Sequence, residues 1–277
     1  MALTDFNGAV AVITGGASGI GFATAQELYE RGAKIVLADI NAQNLLQATE
    51  RIGLHKPEAS DNVLGIPTDV TDYAQVEALM QQAVASYGRI DLVVASAGIG
   101  RGGTIDTFSV QDMRATIDIN FMGVFHCVKA AIPTMRQQQS GYFVFMSSVA
   151  GKLGSPTLSG YCASKWAVRG FSTSLRVELY GSGIGITTVY PAFVDTPMFR
   201  QDVEGAQLLQ AEALLKPEQV AHEILQAVME EKRDLTLAPN PDIAKALVLM
   251  KEDPDKAEIL MGKGYIKQLE RKAAQQR

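Results

Sequence analysis

Tyr161 and Lys165, in the segment Tyr161-Cys162-Ala163-Ser164-Lys165, are the two side chains best spaced to move a proton. They stand four positions apart in a stretch with helical periodicity, so both project from one face. A free phenol titrates near ~10, and an ammonium beside it favours the phenolate, drawing the group toward a range where it can give and take a proton. Ser148 ends the apolar run that begins at Gly141, where its hydroxyl could hold a substrate oxygen by a hydrogen bond. A serine nucleophile is a poor reading of it, because no GxSxG elbow surrounds it and no histidine partner is evident. On an exposed helix such a Tyr/Lys pair is commonplace; chemistry requires a reactive group held alongside.

The segment Thr14-Gly15-Gly16-Ala17-Ser18-Gly19-Ile20-Gly21 could hold one. It follows an apolar run and precedes helical periodicity, so it presents free backbone N–H groups and the positive end of a helix dipole, a setting that suits a pyrophosphate. Gly15 and Gly19 remove Cβ atoms where the chain turns against a ligand, and Gly21 allows the helix to pack closely on the strand. Asp39 ends the next apolar run, about 20 residues beyond Gly19, where a carboxylate accepts hydrogen bonds from both hydroxyls of an adenosine ribose and repels a 2′-phosphate. No Arg or Lys occupies 16–18 or 40–41. The expected cofactor is therefore NAD(H) rather than NADP(H), and an oxidised nicotinamide would add a second positive charge beside the phenol. Asp69-Val70 could bracket the adenine, or could simply lead into a helix capped by Thr71.

Seven short β-branched or apolar runs are spaced to carry these groups: 9–13, 34–39, 62–68, 90–96, 141–146, 185–190 and 235–238. Helical periodicity fills the intervals at 19–31, 41–56, 71–87, 109–138, 159–181 and 217–231. Strand, crossover helix, strand predicts an α/β, doubly wound fold: a seven-stranded parallel sheet with helices on both faces. A single domain over 1–277 is expected. Two segments fall outside the alternation. Residues 196–215 form an insertion that reads as a lid. The tail, 239–277, carries Ile243, Leu247 and Met250, then Ile259, Leu260 and Tyr265, among many Lys and Arg. It reads as a surface helix on the body or a subunit neighbour, or, more sharply, as a helix lying in a membrane interface.

With 25 basic and 30 acidic residues, and a net charge of −5, there is no footprint for nucleic acid. Small molecules or other protein chains are the expected partners. Cys127 and Cys162 lack metal spacing and read as reduced packing residues, while His55, His126 and His222 are scattered, so no catalytic metal is expected. Residues 1–8 contain no basic residue and the run 9–13 is too short for a signal core or a spanning helix. A cytoplasmic location and no spanning membrane segment are the corresponding expectations.

TGxxxGxG at 14–21, the strand-ending Asp39, Asn120, Ser148 and the Tyr161/Lys165 pair occur together in one order, and in this the sequence resembles the short-chain dehydrogenase/reductase family over about residues 7–240. The resemblance implies a Rossmann-type sheet and an Asn120-Ser148-Tyr161-Lys165 tetrad. Tyr161 would be the general acid/base and Ser148 would orient the carbonyl. Lys165 would bind the nicotinamide ribose and depress the tyrosine pKa. Asn120 would hold a water that links Lys165 to solvent. Around the cofactor it implies Gly15, Ser18, Gly19, Ile20, Gly21, Asp39, Ile40, Asp69, Val70, Ser96, Ala97 and Gly98, with Tyr161, Lys165, Pro191, Val194 and Thr196 near the nicotinamide. Ala95-Ser96 departs from the family's usual Asn-Asn, and Ala192 from its Gly. A homodimer or homotetramer through the helices at 109–138 and 159–181 is also implied.

Met198, Phe199, Leu208, Leu209, Leu214 and Leu215, with Leu153 and Leu158, suggest an apolar pocket. The expected substrate is a secondary alcohol or ketone of steroid, retinoid, acyl or aromatic type. The other readings are an NADPH-dependent 3-oxoacyl-type reductase and a noncatalytic NAD(H)-sensing protein. Dehydratase or epimerase chemistry of the extended branch goes with a different glycine spacing.

Overall fold

The computed structural model describes residues 3–55, 61–202 and 214–275. Seven strands form one sheet: β1 (Val10–Thr14), β2 (Lys34–Asp39), β3 (Val63–Pro67), β4 (Leu92–Ala95), β5 (Gly141–Met146), β6 (Ile184–Pro191) and β7 (Asp234–Leu237). Every pairing is parallel and the order is β3-β2-β1-β4-β5-β6-β7, the Rossmann-type sheet. The order reverses between β1 and β4, and a crevice opens there beyond the carboxyl ends of the strands.

Pleating sends alternate residues of each strand to opposite faces, and both faces are apolar because both are covered. Ile13, Leu37, Val94 and Val144 point to one side, toward α1 (Gly19–Glu30), α2 (Ala42–Gly53) and α8 (Pro217–Met229). Val12, Val36, Val93 and Phe143 point to the other, toward α3 (Tyr73–Tyr87), α5 (Gly123–Gln138) and α6 (Ser159–Glu178). By length and composition Val110–Gln138 could cross a membrane. In the fold its apolar side, through Val124, Val128 and Ala131, packs into this second core.

The expected helix over 109–138 is interrupted. After α4 (Val110–Ile117) the chain makes a π-helical turn over Asp118–Met122 before continuing as α5. One extra residue in a turn leaves the apolar periodicity on either side nearly intact, so the sequence reads as one continuous helix. Thr71 does not cap α3 as expected. The Asp72 carboxylate accepts from the Ala74 N–H and is the cap, whereas Thr71 donates both its N–H and its hydroxyl to Asp69.

Of the expected lid, 197–202 is helical as α7 (Pro197–Asp202), and 203–213, with Leu208 and Leu209, lies outside the described residues. The tail folds as α9 (Pro241–Glu252) and α10 (Pro254–Gln275).

Candidate active site

Between β1 and α1 the backbone itself forms a cradle. Gly15 and Gly19 adopt left-handed φ values of +64° and +54°, which a side chain disfavours. A Cβ on Gly15 would lie 2.8 Å from the Ala97 Cα, and one on Gly21 would lie 2.3 Å from the Gly15 carbonyl oxygen. Ser18 precedes α1 in an extended conformation, and its side chain caps no amide. The helix therefore presents free N–H groups and no first-turn acid to the cleft, as a bound diphosphate requires. The Asp39 carboxylate is held at the edge of this cradle by the N–H groups of Ala17, at 3.2 Å, and Asn41, at 3.1 Å. These residues fit a dinucleotide.

Across the crevice, the turn after β4 is fastened from two sides. The Thr14 hydroxyl accepts from the N–H of Ser96 and, more distantly, of Ala97. Asn120, fully buried in the π turn, accepts the Ile99 N–H at 2.8 Å and donates to the Ile99 carbonyl at 3.0 Å. These two grips hold Ala95-Ser96-Ala97-Gly98 without the amides the family usually places there. Asn120 also donates to the Ser164 hydroxyl at 3.1 Å, and Ser164 donates to the Tyr161 carbonyl at 2.7 Å. Both amide hydrogens of Asn120 are thus engaged within the protein.

Ser148, Tyr161 and Lys165 meet on the wall next to this turn. Ser148 follows β5, accepts from the Ala150 N–H and donates to the Pro191 carbonyl at 3.3 Å. Lys165 is buried, donates to the Met146 carbonyl at 2.8 Å and lies 5.4 Å from the centre of the Tyr161 ring. Removal from water penalises its ammonium and lowers its pKa to about 8. Burial has the opposite effect on the Tyr161 phenol, pushing it up to about 12, partly offset by the Ser148 hydroxyl. In the protein alone burial is the largest influence on the phenol; the expected depression also draws on the positive charge of an oxidised nicotinamide, which the cofactor would supply. The Lys165 ammonium spends one of its three N–H donors on the Met146 carbonyl and keeps its charge beside the ring.

A continuous cleft of about 1150 Å³ joins the two halves. Of the expected cofactor residues, Gly15, Ser18, Gly19, Ile20, Asp39, Ile40, Asp69, Val70, Ser96, Ala97, Gly98, Pro191, Val194 and Thr196 line it. Gly21 lies behind the cradle and Asn120 behind the turn, so each acts on the cleft through its neighbours. Leu153, Leu158, Met198 and Phe199 line the far end as expected, while Leu215 instead bridges to Val194. The wall opposite comes from the tail: Asp242, Ile243 and Ala246 of α9, and Met261 and Tyr265 of α10. Sequence reasoning placed these on a surface helix. The signal that could have found the α10 pair was an apolar and an aromatic residue four apart within a charged stretch. No role is read from the sequence for Thr14, the first residue of TGxxxGxG, or for Ser164, inside the Tyr161–Lys165 segment, although both hydroxyls hold the site together. Cys127 and Cys162 are buried free thiols whose pKa values burial raises, consistent with packing.

Comparison with known proteins agrees with this geometry. A family model described as short chain dehydrogenase matches residues 9–207. A 3-ketodihydrosphingosine reductase of Bos taurus is 36% identical over 229 residues, covering 80% of this chain and 69% of that one. A 3-dehydrosphinganine reductase of Danio rerio is 32% identical over 247 residues, covering 87% and 74%. The crystal structure of a short chain dehydrogenase/reductase from Burkholderia phymatum in complex with NAD superposes with a TM-score of 0.82 at 31% identity, covering 91% of this chain and 95% of that one. Cradle, strand order and matched sequence together make this chain a member of the short-chain dehydrogenase/reductase family, an oxidoreductase built for a nicotinamide cofactor and a small-molecule substrate.

Proposed function

We propose that the chain interconverts an apolar ketone and its secondary alcohol with NAD(H), using Tyr161 as the general acid/base. The observation that carries this reading is the convergence of Ser148, Tyr161 and Lys165 on the same cleft wall to which the glycine cradle opens. When bound, the nicotinamide supplies or accepts the hydride. Ser148 holds the substrate oxygen by a hydrogen bond, and Tyr161 gives that oxygen a proton during reduction or takes one during oxidation. A phenol raised to about 12 is protonated at neutral pH, which suits reduction. Oxidation needs the phenolate, and a positive charge on the oxidised cofactor beside Lys165 would favour it. Asn120 supports this centre by fixing Ile99 and, through Ser164, the helix that carries Tyr161. We propose that the water relay from Lys165 to solvent starts beside Gly98, where a Cβ would come within 3.2 Å of Asn120 Oδ1 and 3.8 Å of Lys165 Nζ.

NAD(H) is favoured by charge. Asp39 stands at the edge of the cradle, where an adenosine ribose would lie, and Lys165, at the other end, is the one cation among the described residues that line the cleft. A 2′-phosphate would meet repulsion without compensation. An apolar substrate is favoured by Leu153, Leu158, Phe193, Met198, Phe199 and Met261. The curated relatives named above are reductases of a 3-keto compound, in keeping with a ketone. For assembly, the outer sides of α4 and α6 expose Val110, Trp166 and Val177, which supports a homo-oligomer formed through these helices.

The test is Tyr161→Phe, assayed for NADH-dependent reduction across a panel of apolar ketones and for NADH binding by fluorescence. Turnover is expected to disappear while binding stays within about twofold, because only a hydroxyl is lost. Activity retained within severalfold would remove Tyr161 from the reaction.

A further inference from the structure

The two helices after β7 have an inner and an outer side of different character. On α10, Ala257 is buried, and Met261 and Tyr265 line the cleft, so every fourth residue marks the inner face. At about 100° per residue, Ile259 and Ile266 fall on the opposite face, where they are 58% and 56% exposed. Leu260 on α10 and Val248 on α9 are exposed to a similar degree. Each of these four aliphatic residues has a lysine three or four positions away: Lys245 and Lys251 flank Val248, Lys256 and Lys263 flank Ile259 and Leu260, and Lys263 precedes Ile266. The stretch 259–269 holds two lysines and no acid in a chain of net charge −5; Glu252, Asp253 and Asp255 lie where α9 meets α10, the exposed Glu258 directly precedes the stretch and Glu270 follows it. A Cβ on Gly262 or Gly264 would meet nothing within 4 Å, so these flanks of α10 are open as well.

Lysine is depleted from the cores of protein–protein contacts, whereas aliphatic side chains interleaved with lysine suit an anionic lipid surface. We propose that the outer side of α9 and α10 rests on an anionic membrane surface. The cleft wall is the other side of the same two helices, so docking would bring the cleft within about one helix diameter of the bilayer. An apolar ketone would then pass from lipid to the cleft beside Met261 and Tyr265. This last step rests on the apolar-substrate reading; the docking itself does not.

The experiment is co-sedimentation of the full chain with phosphatidylcholine vesicles, with and without about 30% phosphatidylserine. Strong binding to the anionic vesicles and weak binding to the neutral ones is expected. Lys263→Glu combined with Lys267→Glu should lower partitioning at least about tenfold, as should Ile259→Ser combined with Ile266→Ser. Neither pair faces the cleft, so kcat/KM for a water-soluble ketone should be unchanged in both, while that for a vesicle-borne ketone falls with partitioning. Equal binding to both vesicle types, or unchanged binding of the variants, overturns the proposal. So does an Ile259→Ser/Ile266→Ser chain that loses subunit mass instead of vesicle binding, which would make this face a contact with a second copy. Vesicle binding is read without turnover. A chain that binds through these residues yet reduces no ketone contradicts the proposed function alone, and one that reduces ketones yet ignores vesicles contradicts the surface alone.

Discussion

The two ends of the cleft are built by different means. At the dinucleotide end the shape belongs to the backbone: Gly15 and Gly19 in left-handed turns, Gly21 against the Gly15 carbonyl, and Thr14 and Asn120 gripping the turn after β4. At the substrate end the shape belongs to side chains from three separated segments: Leu153 and Leu158 before α6, Met198 and Phe199 in α7, and Met261 and Tyr265 in α10. At the first end Gly15 and Gly21 leave no room for a Cβ, while the second can be resized one side chain at a time. Tyr161 stands where the two meet. A fold organised in this way can keep one cofactor while its substrate varies.

The largest effect should come from the junction. Tyr161→Phe is expected to lower kcat by about 10³-fold or more in steady-state assays, with NADH affinity retained. Next comes the backbone end. Gly21→Ala puts a methyl group against a carbonyl oxygen that cannot move without opening the cradle. It should cost roughly 1–3 kcal/mol in denaturant unfolding and abolish measurable NADH binding. Normal NADH affinity in that variant would show that the cradle is not the diphosphate site.

Asp39→Ala should narrow the NADH over NADPH preference by about tenfold or more in kcat/KM, by removing a repulsive charge rather than by adding a contact. If the unmodified chain uses both cofactors equally, the ribose assignment fails. At the substrate end, Tyr265→Ala should raise KM for a bulky apolar ketone by about five- to tenfold, leaving NADH affinity unchanged. A change in NADH affinity instead would mean that the two ends are not independent.

The smallest effect is on pH dependence. With Lys165 at about 8 and the phenol at about 12, ketone reduction should be level up to near pH 8 and decline above it as the ammonium loses its proton. A rate that stays level to well past that point would remove the charge on Lys165 from the account.

The same contrast explains what could be read in advance. Strands such as Lys34–Asp39 and Gly141–Met146 are visible because burial on both faces makes them continuous apolar runs between turn residues. The glycine turn and the Tyr161/Lys165 pair are visible because their chemistry fixes residue types at short spacing. The π turn around Asn120 was hidden, since an extra residue in one turn barely disturbs helical periodicity. Asp72 displaced Thr71 as a cap through a choice between neighbouring oxygens that composition does not decide. Met261 and Tyr265 were hidden for another reason: which helix closes a cleft depends on packing between elements far apart in sequence. The raised phenol was hidden too, because desolvation depends on the assembled wall and not on the lysine four residues away.

The most direct test of the central claim is a crystal structure of the chain with NAD(H) and an unreactive apolar ketone, in which the distance from Tyr161 Oη to the carbonyl oxygen is measured. A hydrogen-bonding separation, about 2.5–3.0 Å, with the diphosphate against Gly15 and Gly19, is the predicted result. A ketone seated in the cleft with its oxygen held by other groups and Tyr161 out of reach would contradict it.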